Sequence, residues 1–251
     1  MNLKNSHLFA FFSKELKQIN ISGKTLIIDD EDLTTRLNKI LRFTPKDQCI
    51  VFNQNHHIHL NYKEKISKKS TIFNIIDSIK PNLPSNPYIH LFCPILKKNT
   101  FEEVFDDLGE IGVSEITPVI TKKSSRKYLD QKEIDKLTKH LISGCELSKN
   151  FCVPIINETI DFQMIKSKKL YYNIYLDING DNNLFQIMEK ISKESSKENC
   201  KIQILLGPEG DLDESEYQKL SEWSRLKLSN TTLKSKNALR IAIGSLKSIF
   251  V

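Results

Sequence analysis

The sequence lacks the features of a membrane span, a disulfide framework and a disordered chain. It has no run of about 18 apolar residues, and its first five residues lack the apolar core of a signal peptide. Its five cysteines include no Cys-x-x-Cys pair, so they indicate neither a set of disulfides nor a zinc site. With only 8 Gly and 8 Pro it is not collagen-like or of low complexity. We therefore expect a globular, cytoplasmic protein with reduced thiols and with neither a membrane nor a metal partner.

Four common catalytic or nucleotide-binding motifs are also missing. The absence of Gly-x-Gly-x-x-Gly argues against a nicotinamide site, and the absence of a Walker A sequence argues against a P-loop nucleotide hydrolase. The chain contains neither Gly-x-Ser-x-Gly nor His-Glu-x-x-His. The sequence therefore contains none of these motifs that would indicate the familiar hydrolase or kinase chemistries.

The charge of the chain is unevenly distributed. Lys and Arg total 37 against 31 Asp and Glu, a net charge of +6. Residues 1–80 hold 13 basic and 8 acidic side chains, or +5, whereas the remaining residues hold 24 and 23, or +1. Clustered cations favour a polyanion such as RNA, because binding releases its counterions. On charge alone, ordinary solubilising lysines explain this excess equally well.

The first third of the chain is predicted to form a small β-rich module with one helix. Short apolar runs predict strands at residues 7–12, 25–28 and 48–52. An acidic turn at residues 30–32 opens a helix in which Leu33, Leu37, Ile40 and Leu41 recur at helical spacing. Three prolines between residues 81 and 87 predict a linker, since proline fits neither a helix interior nor a central strand. We therefore place one domain at residues 1–78 and a second at residues 79–251.

In the second domain strands and helices alternate, which predicts an α/β fold with a mostly parallel sheet. Ligands of such sheets bind at the carboxyl ends of the strands. The predicted strands are residues 88–92, 115–120, 170–176, 201–206 and 225–228. The predicted helices are residues 100–111, 133–147, 183–195, 213–223 and 234–250.

Two loops that leave predicted strands carry the most information. Gly207-Pro208-Glu209-Gly210 follows an apolar strand, and its glycines let the backbone approach a ligand closely. Asp213 or Ser215 is suited to cap the helix that follows. The second loop, residues 226–234, is polar and leads into the last predicted helix. Taken singly, these loops also fit a tight strand-to-helix turn and a solvated connection.

Together the two loops resemble the ribosomal RNA small subunit methyltransferase E family of the SPOUT superfamily. Residues 207–210 match that family's Gly-Pro-Glu-Gly motif in full, and residues 228–238 match its C-terminal motif weakly. Residues 39–42, 109–113 and 145–148, with Pro154, resemble further family segments, so the resemblance spans nearly the whole chain.

The resemblance implies a small PUA-like β-barrel that binds RNA, followed by a SPOUT domain with a C-terminal trefoil knot. It implies a homodimer that uses S-adenosyl-L-methionine to methylate N3 of a uridine in 16S ribosomal RNA within the 30S subunit. The residues implied in cofactor binding are Leu176, Leu206, Gly207, Glu209, Gly210, Leu228, Ser229, Asn230 and Leu233. The candidate RNA contacts are Arg42, Lys122, Lys123, Arg126 and Lys234. A solvated loop is an equal interpretation of residues 122–127, and no residue is assigned as the proton acceptor.

The second motif departs from the family pattern at several positions. Thr231 and Lys234 stand where the family has arginine, Lys236 where it has glutamate, Asn237 where it has threonine, and Ser229 where it has glycine. Lysine keeps a positive charge but not the bidentate fork of arginine, and threonine keeps neither. Two alternatives follow: an RNA-binding homologue that has lost catalysis, and a SPOUT enzyme that modifies another RNA position.

Overall fold

The computed structural model describes residues 8–17, 21–22, 24–84, 86–124, 126–194, 200–208 and 210–250. The chain divides into two compact units. The first comprises Met1–Leu83 and Cys145–Cys152, and the second comprises Pro84–Gly144 and Val153–Val251. The predicted boundary near residue 80 misses Cys145–Cys152, a segment that returns to the first unit and is called the returning segment below. No change in composition or charge marks this segment in the sequence.

The first unit is built on a seven-stranded, mostly antiparallel sheet with the order β1-β4-β5-β6-β3-β2, in which β7 pairs with β5. Among the described strand pairs of this sheet, only β1 and β4 run parallel. The strands are β1 (Phe9–Phe12), β2 (Ile21–Ser22), β3 (Thr25–Asp29), β4 (Gln48–Phe52), β5 (His56–Lys65), β6 (Ser70–Ile75) and β7 (Lys80–Pro81). The helical segments are a 3₁₀ turn at Lys14–Lys17, α1 (Glu31–Thr35) and a π-helical turn at Arg36–Ile40.

The predicted helix of this unit is only partly correct. It begins as expected, because the Asp30 side chain caps α1 by accepting a hydrogen bond from the Leu33 amide at 2.9 Å. Leu33 and Leu37 are buried in the core, as their spacing predicts. Ile40 and Leu41 are exposed instead, Ile40 at 68%. The π-helical turn changes the number of residues per turn, so the later apolar residues rotate away from the core.

A bidentate ion pair holds the returning segment within the first unit. The Arg36 guanidinium donates to both carboxylate oxygens of Glu146 at 2.9 and 2.6 Å, and the Phe12 amide donates to the same carboxylate at 2.8 Å. The guanidinium also lies 4.9 Å from the centroid of the Phe11 ring. The hydrogen bond to Glu146 raises the pKa of Arg36. Glu146 therefore has three donors, two of them on a cation.

Replacing Glu146 with alanine is expected to lower the free energy of unfolding by about 2 kcal/mol, because a partly buried guanidinium and an amide lose their acceptor. Urea denaturation measures the change. The matched control is Lys69→Ala, since the Lys69–Glu31 pair is exposed and 3.7 Å long and should contribute below about 1 kcal/mol. If both substitutions lowered the free energy of unfolding equally, the stabilising contribution proposed for the Glu146 contacts would be contradicted.

The second unit contains an eight-stranded sheet in which all described pairs are parallel. Its order is β10-β9-β8-β14-β12-β15-β13, and β11 also pairs with β9. The strands are β8 (Tyr88–Pro94), β9 (Glu115–Ile120), β10 (Ile155–Ile156), β11 (Ile160–Asp161), β12 (Tyr172–Leu176), β13 (Asn182–Asn183), β14 (Lys201–Leu205) and β15 (Ser224–Lys227). The predicted α/β class with a mostly parallel sheet is confirmed.

The described helices of the second unit are α2 (Lys98–Ile111), α3 (Gln131–Ser148), α4 (Leu184–Glu194), α5 (Glu214–Lys219) and α6 (Ser235–Ser248), with a 3₁₀ turn at Phe162–Met164. All but α5 agree closely with the predicted bounds. The sequence predicts a helix over residues 213–223, whereas α5 ends at Lys219. Trp223 is buried in an apolar cluster with Phe92 and Leu220, and its indole N–H donates to the Ser167 hydroxyl at 2.7 Å. The helix ends at Lys219, and the chain then turns so that the Trp223 side chain is buried in this cluster.

Within the residues that the structure describes, no helix is both long enough and apolar enough to cross a membrane.

Candidate functional site

A cavity of about 650 Å³ lies at the carboxyl ends of the adjacent strands β14, β12 and β15. The three loops that leave these strands form most of its wall, as expected for a parallel sheet. They contribute Asp177 and Ile178 after β12, Leu206, Gly207 and Pro208 after β14, and Leu228, Ser229, Thr231, Thr232 and Leu233 after β15. Leu176, the last residue of β12, also lines the cavity. The start of α6 adds Lys234, Ser235 and Ala238.

Most of the predicted cofactor residues meet in this wall. They are Leu176, Leu206, Gly207, Leu228, Ser229 and Leu233. Gly210 and Asn230 are exposed and do not line the cavity. Glu209 lies outside the described residues. The structure thus brings Leu206 and Gly207 of the first loop together with Leu228, Ser229 and Leu233 of the second.

Close backbone contacts bring the three loops together. A β-carbon built on Gly207 would lie 3.0 Å from the carbonyl oxygen of Leu176, tighter than ordinary contact. One built on Gly180 would lie 2.7 Å from the amide nitrogen of Lys227, so the loop after β12 packs directly on the backbone of β15. A side chain at position 180 would displace backbone atoms, whereas one at position 207 would require the Leu176 backbone to move by a few tenths of an ångström. Gly180 belongs to no motif, and sequence reasoning missed it.

Two carboxylates in the wall already have partners. Asp177, whose side chain is 6% exposed, accepts a hydrogen bond from Arg225 at 2.9 Å, and this bond raises the pKa of Arg225. The guanidinium lies 5.9 Å from the ring of Tyr175 and 5.8 Å from that of Tyr217. The Tyr217 hydroxyl in turn donates to Asp211 at 2.5 Å. Asp177 was not predicted, although its position directly after a parallel strand was a usable signal.

Side chains at the start of α6 have two different neighbours: some line the cavity, and others contact α2. Lys234 is the N-cap residue of α6, is exposed, and lines the cavity. The hydroxyls of Ser229 and Thr231 lie 3.0 Å apart at the same wall. Lys236 points elsewhere: its ammonium lies 3.5 Å from Glu103 of α2. The substituted positions of the second motif therefore have different environments, and only some of them face the cavity.

Lys97 and Thr100 add a further side of the cavity that no motif indicated. Lys97 is the N-cap residue of α2, and Thr100 lies in its first turn. Both belong to the connection after β8, a strand that pairs with β14. Their place in the wall follows from strand order, which a single sequence does not specify.

The basic loop after β9 is held by contacts within the second unit. The Lys122 ammonium lies 2.5 Å from Asp213, and this contact lowers the pKa of Asp213 to about 2. Lys123 donates to a backbone carbonyl just before α5 at 3.1 Å. Arg126 pairs with Glu133 at 2.5 Å. Asp213 also caps α5 in a capping box, as predicted for Asp213 or Ser215.

Arg42, the remaining candidate RNA contact, lies in the first unit. It follows the π-helical turn, is exposed, and has a φ of 54°, in the left-handed region. Within the described residues, no group of three or more His, Cys, Asp or Glu side chains is arranged to hold a metal ion.

Known proteins similar to this chain are ribosomal RNA methyltransferases. One relative is ribosomal RNA small subunit methyltransferase E of Buchnera aphidicola subsp. Acyrthosiphon pisum, 26% identical over 225 residues that cover 85% of this chain and 84% of the relative. The protein of the same name from Rickettsia conorii is 24% identical over 213 residues, 83% of each chain.

The fold is similar to that of a solved structure, ribosomal RNA small subunit methyltransferase E from Neisseria gonorrhoeae bound to S-adenosyl methionine. The TM-score is 0.79 at 21% identity, with 97% of this chain and 98% of that chain covered. The family described as RNA methyltransferase domain matches residues 84–247. The chain therefore belongs to the RNA methyltransferase domain family, which confirms the resemblance seen in its sequence.

Proposed function

We propose that this protein is an S-adenosyl-L-methionine-dependent methyltransferase that methylates N3 of a uridine in 16S ribosomal RNA of the small subunit. The observation that carries the proposal is the cavity at the carboxyl ends of β14, β12 and β15, whose wall includes parts of both sequence motifs. The names of the relatives and the cofactor in the similar structure support the same activity.

The residues of the cavity fit such a cofactor. A volume of about 650 Å³ falls within the range of about 300–1,000 Å³ typical of small-molecule sites. Leu176, Leu206, Leu228 and Leu233 offer apolar surface for an adenine ring, and Gly207 leaves its backbone accessible. We propose that Gly210, Asn230 and Glu209 complete the site. When bound, the cofactor supplies a methyl group on a sulfonium, which is an activated donor.

The chain's own residues have two tasks in this reaction. They must hold the uracil ring with N3 in line with the methyl group, since orientation lowers the barrier substantially. They must also stabilise the negative charge that develops on the ring as the N3 proton leaves. Lys234, a cation at the cavity wall, is suited to the second task. The Thr231 hydroxyl is a polar neighbour at the same wall.

The proposal extends to the rest of the molecule. The first unit, with its excess of basic residues and its mostly antiparallel sheet, is proposed as a PUA-like RNA-binding domain in which Arg42 contacts RNA. The candidate contacts Lys122, Lys123 and Arg126 belong to the second unit. We also propose a C-terminal trefoil knot, for which the strand order supplies a crossover, because β15 pairs with β12 rather than with the preceding strand β14. A cytoplasmic homodimer acting on the 30S subunit completes the proposal.

The experiment that tests this function uses purified protein, labelled S-adenosylmethionine and 30S subunits that lack the methyl mark. We expect 3-methyluridine in the digested 16S RNA, identified by mass spectrometry of nucleosides. Absence of transfer to any RNA would contradict the enzymatic proposal. A methylated nucleoside other than 3-methyluridine would support a SPOUT enzyme that modifies a different position.

A second candidate is an RNA-binding homologue that has lost catalysis. It is favoured by Thr231, which lines the cavity without the charge of the family's arginine, and by Lys236, which is engaged with Glu103. Cofactor titration separates the two candidates. Retained RNA affinity without binding of S-adenosylmethionine would support the second.

Replacing Lys234 with methionine is expected to lower kcat about tenfold, because the developing negative charge loses a nearby cation while the apolar stem is kept. The affinity for S-adenosylmethionine should stay unchanged. Single-turnover methylation and calorimetric titration measure the two quantities. Lys219→Met is the matched control, since Lys219 is exposed on α5 and outside the cavity wall. Equal kcat values for both variants would contradict the role given to Lys234.

A further inference from the structure

A second cavity, of about 390 Å³, lies on one face of the parallel sheet and shares no residue with the wall described above. Its polar floor comes from three neighbouring strands and is formed by His90 of β8, Thr117 of β9 and Gln203 of β14. Gln203 and His90 lie side by side in the register of the sheet. A cavity with a floor of fully buried polar side chains is unusual for the interior of a parallel sheet, which is normally apolar.

Two nitrogen atoms in this floor have no hydrogen-bond partner among the described residues. Gln203 is 0% exposed, and its Oε1 accepts a hydrogen bond from the Lys168 amide at 3.0 Å, which leaves Nε2 unpaired. His90 is 6% exposed, and its Nδ1 is unpaired as well. Leaving a buried polar group unpaired is unfavourable, because the group has lost its hydrogen bonds to water. Both nitrogens are covered in this structure, so a ligand that supplies an acceptor reaches them when the side chains around them shift.

The surrounding hydrogen bonds indicate that His90 Nδ1 carries a hydrogen. The Asn157 amide donates to Thr117 Oγ1 at 3.0 Å, and we assign the Thr117 hydroxyl as the donor in its 2.7 Å hydrogen bond with His90 Nε2. Burial lowers the pKa of His90, so the ring is neutral. A neutral ring that accepts at Nε2 has its hydrogen on Nδ1. The nearest carboxylate oxygen, on Glu115, is 3.7 Å away and too distant for a hydrogen bond.

The sides and rim of the second cavity add two further properties. Phe92, Ile160 and Met164 make apolar sides, and Met164 is 61% exposed, so the cavity is accessible from solvent. Lys166 and Lys168 lie at the rim and are exposed, and their two positive charges exceed the negative charge of Glu158, which also lines the cavity. A complementary ligand is thus a flat ring with acceptor oxygens on its edge, attached to an anionic group.

We propose that the second cavity holds one unstacked nucleotide of the RNA substrate, with a carbonyl edge of its base on Gln203 and His90. Its phosphate lies near Lys166 and Lys168. This inference rests on the proposed function for the RNA itself. Recognition of a splayed base by hydrogen bonds at its edge and by apolar side chains is common among proteins that bind single-stranded RNA. A bound water would satisfy the two nitrogens but would use neither the apolar sides nor the lysines.

The proposal predicts selectivity for a base with carbonyl oxygens. In a titration followed by NMR chemical shifts, uridine 5′-monophosphate should bind about tenfold more tightly than adenosine 5′-monophosphate, which has no carbonyl on its base. Inorganic phosphate should bind more weakly than either. Equal binding of all three would overturn the proposal, because the site would then recognise only the anion.

The main variant is Gln203→Glu, which keeps an oxygen for the Lys168 amide and replaces the unpaired donor by an acceptor. It should weaken binding of uridine 5′-monophosphate about tenfold and raise KM for RNA to a similar extent, with kcat and cofactor affinity unchanged. Met164→Glu, at an exposed side of the cavity, should have the same effect through repulsion of the phosphate. It keeps the test decisive if Gln203→Glu does not fold. Lys169→Ala is the matched control, because Lys169 is exposed in the same loop and outside the second cavity.

The outcomes separate this inference from the proposed function. Binding of uridine 5′-monophosphate that depends on Gln203, in a protein that transfers no methyl group, would contradict only the proposed function. Active methyl transfer with a KM unaffected by Gln203→Glu and Met164→Glu would overturn only the inference.

Discussion

Replacing Gly207 with valine is expected to weaken the binding of S-adenosylmethionine by more than about a hundredfold, or about 2.7 kcal/mol. A β-carbon added at Gly207 would lie only 3.0 Å from the carbonyl oxygen of Leu176. Valine adds two methyl groups to that β-carbon. Both residues line the cavity, so the new methyl groups either occupy it or force the loops after β12 and β14 apart.

Calorimetric titration measures this loss, and thermal unfolding shows whether the fold persists. We expect only a small change in melting temperature, because Gly207 has no positive φ that valine must strain against and lies outside the strands. Gln218→Val places the same side chain on an exposed position of α5 and should bind the cofactor normally. Unchanged cofactor affinity in Gly207→Val would show that the cofactor binds elsewhere.

The sheet of the second unit was predictable because its strands are buried on both faces. Glu115–Ile120 was predicted to the residue, since the β-branched residues Ile116, Thr117, Val119 and Ile120 make up most of this segment. The ends of segments governed by distant contacts were not predictable. The early end of α5 depends on where Trp223 finds its apolar neighbours, and the position of Ile40 depends on a π-helical turn. Neither leaves a periodic pattern in the sequence.

The candidate site was predictable to the extent that it is built from consecutive residues. Gly207 and Leu228 follow strands in recognisable motifs, so their meeting at one sheet edge follows from the parallel arrangement. Lys97 joins them only because β8 lies beside β14. No local segment of the sequence specifies that strand order. Lys122 shows the converse case. Lys122 stays a predicted RNA contact, but its charge alone did not indicate that its ammonium pairs with Asp213. Charge identifies a cation without identifying its partner.

Replacing Gly109 with alanine is expected to lower the free energy of unfolding by at least about 3 kcal/mol, although the same change in an exposed helix would stabilise it by about 1 kcal/mol. Gly109 is buried on α2, and a β-carbon there would lie 2.2 Å from the carbonyl oxygen of Leu141 on α3. The obstructing atom belongs to a helix backbone, so no rotation of a side chain relieves the overlap. The two helices must separate, and the packing between them is lost.

The position of α2 makes this substitution informative about the site as well as about stability. Asp107, two residues before Gly109, accepts a hydrogen bond from Arg240 of α6 at 2.5 Å, and Thr100 at the other end of α2 lines the cavity. Displacement of α2 should therefore weaken cofactor binding together with stability, with a fall in melting temperature of about 6–12 °C. Glu110→Ala, on the exposed side of the same helix, should change stability by less than about 0.5 kcal/mol. A Gly109→Ala protein as stable as Glu110→Ala would contradict the close packing of α2 and α3, and with it the argument that backbone contact between these helices positions one side of the cavity.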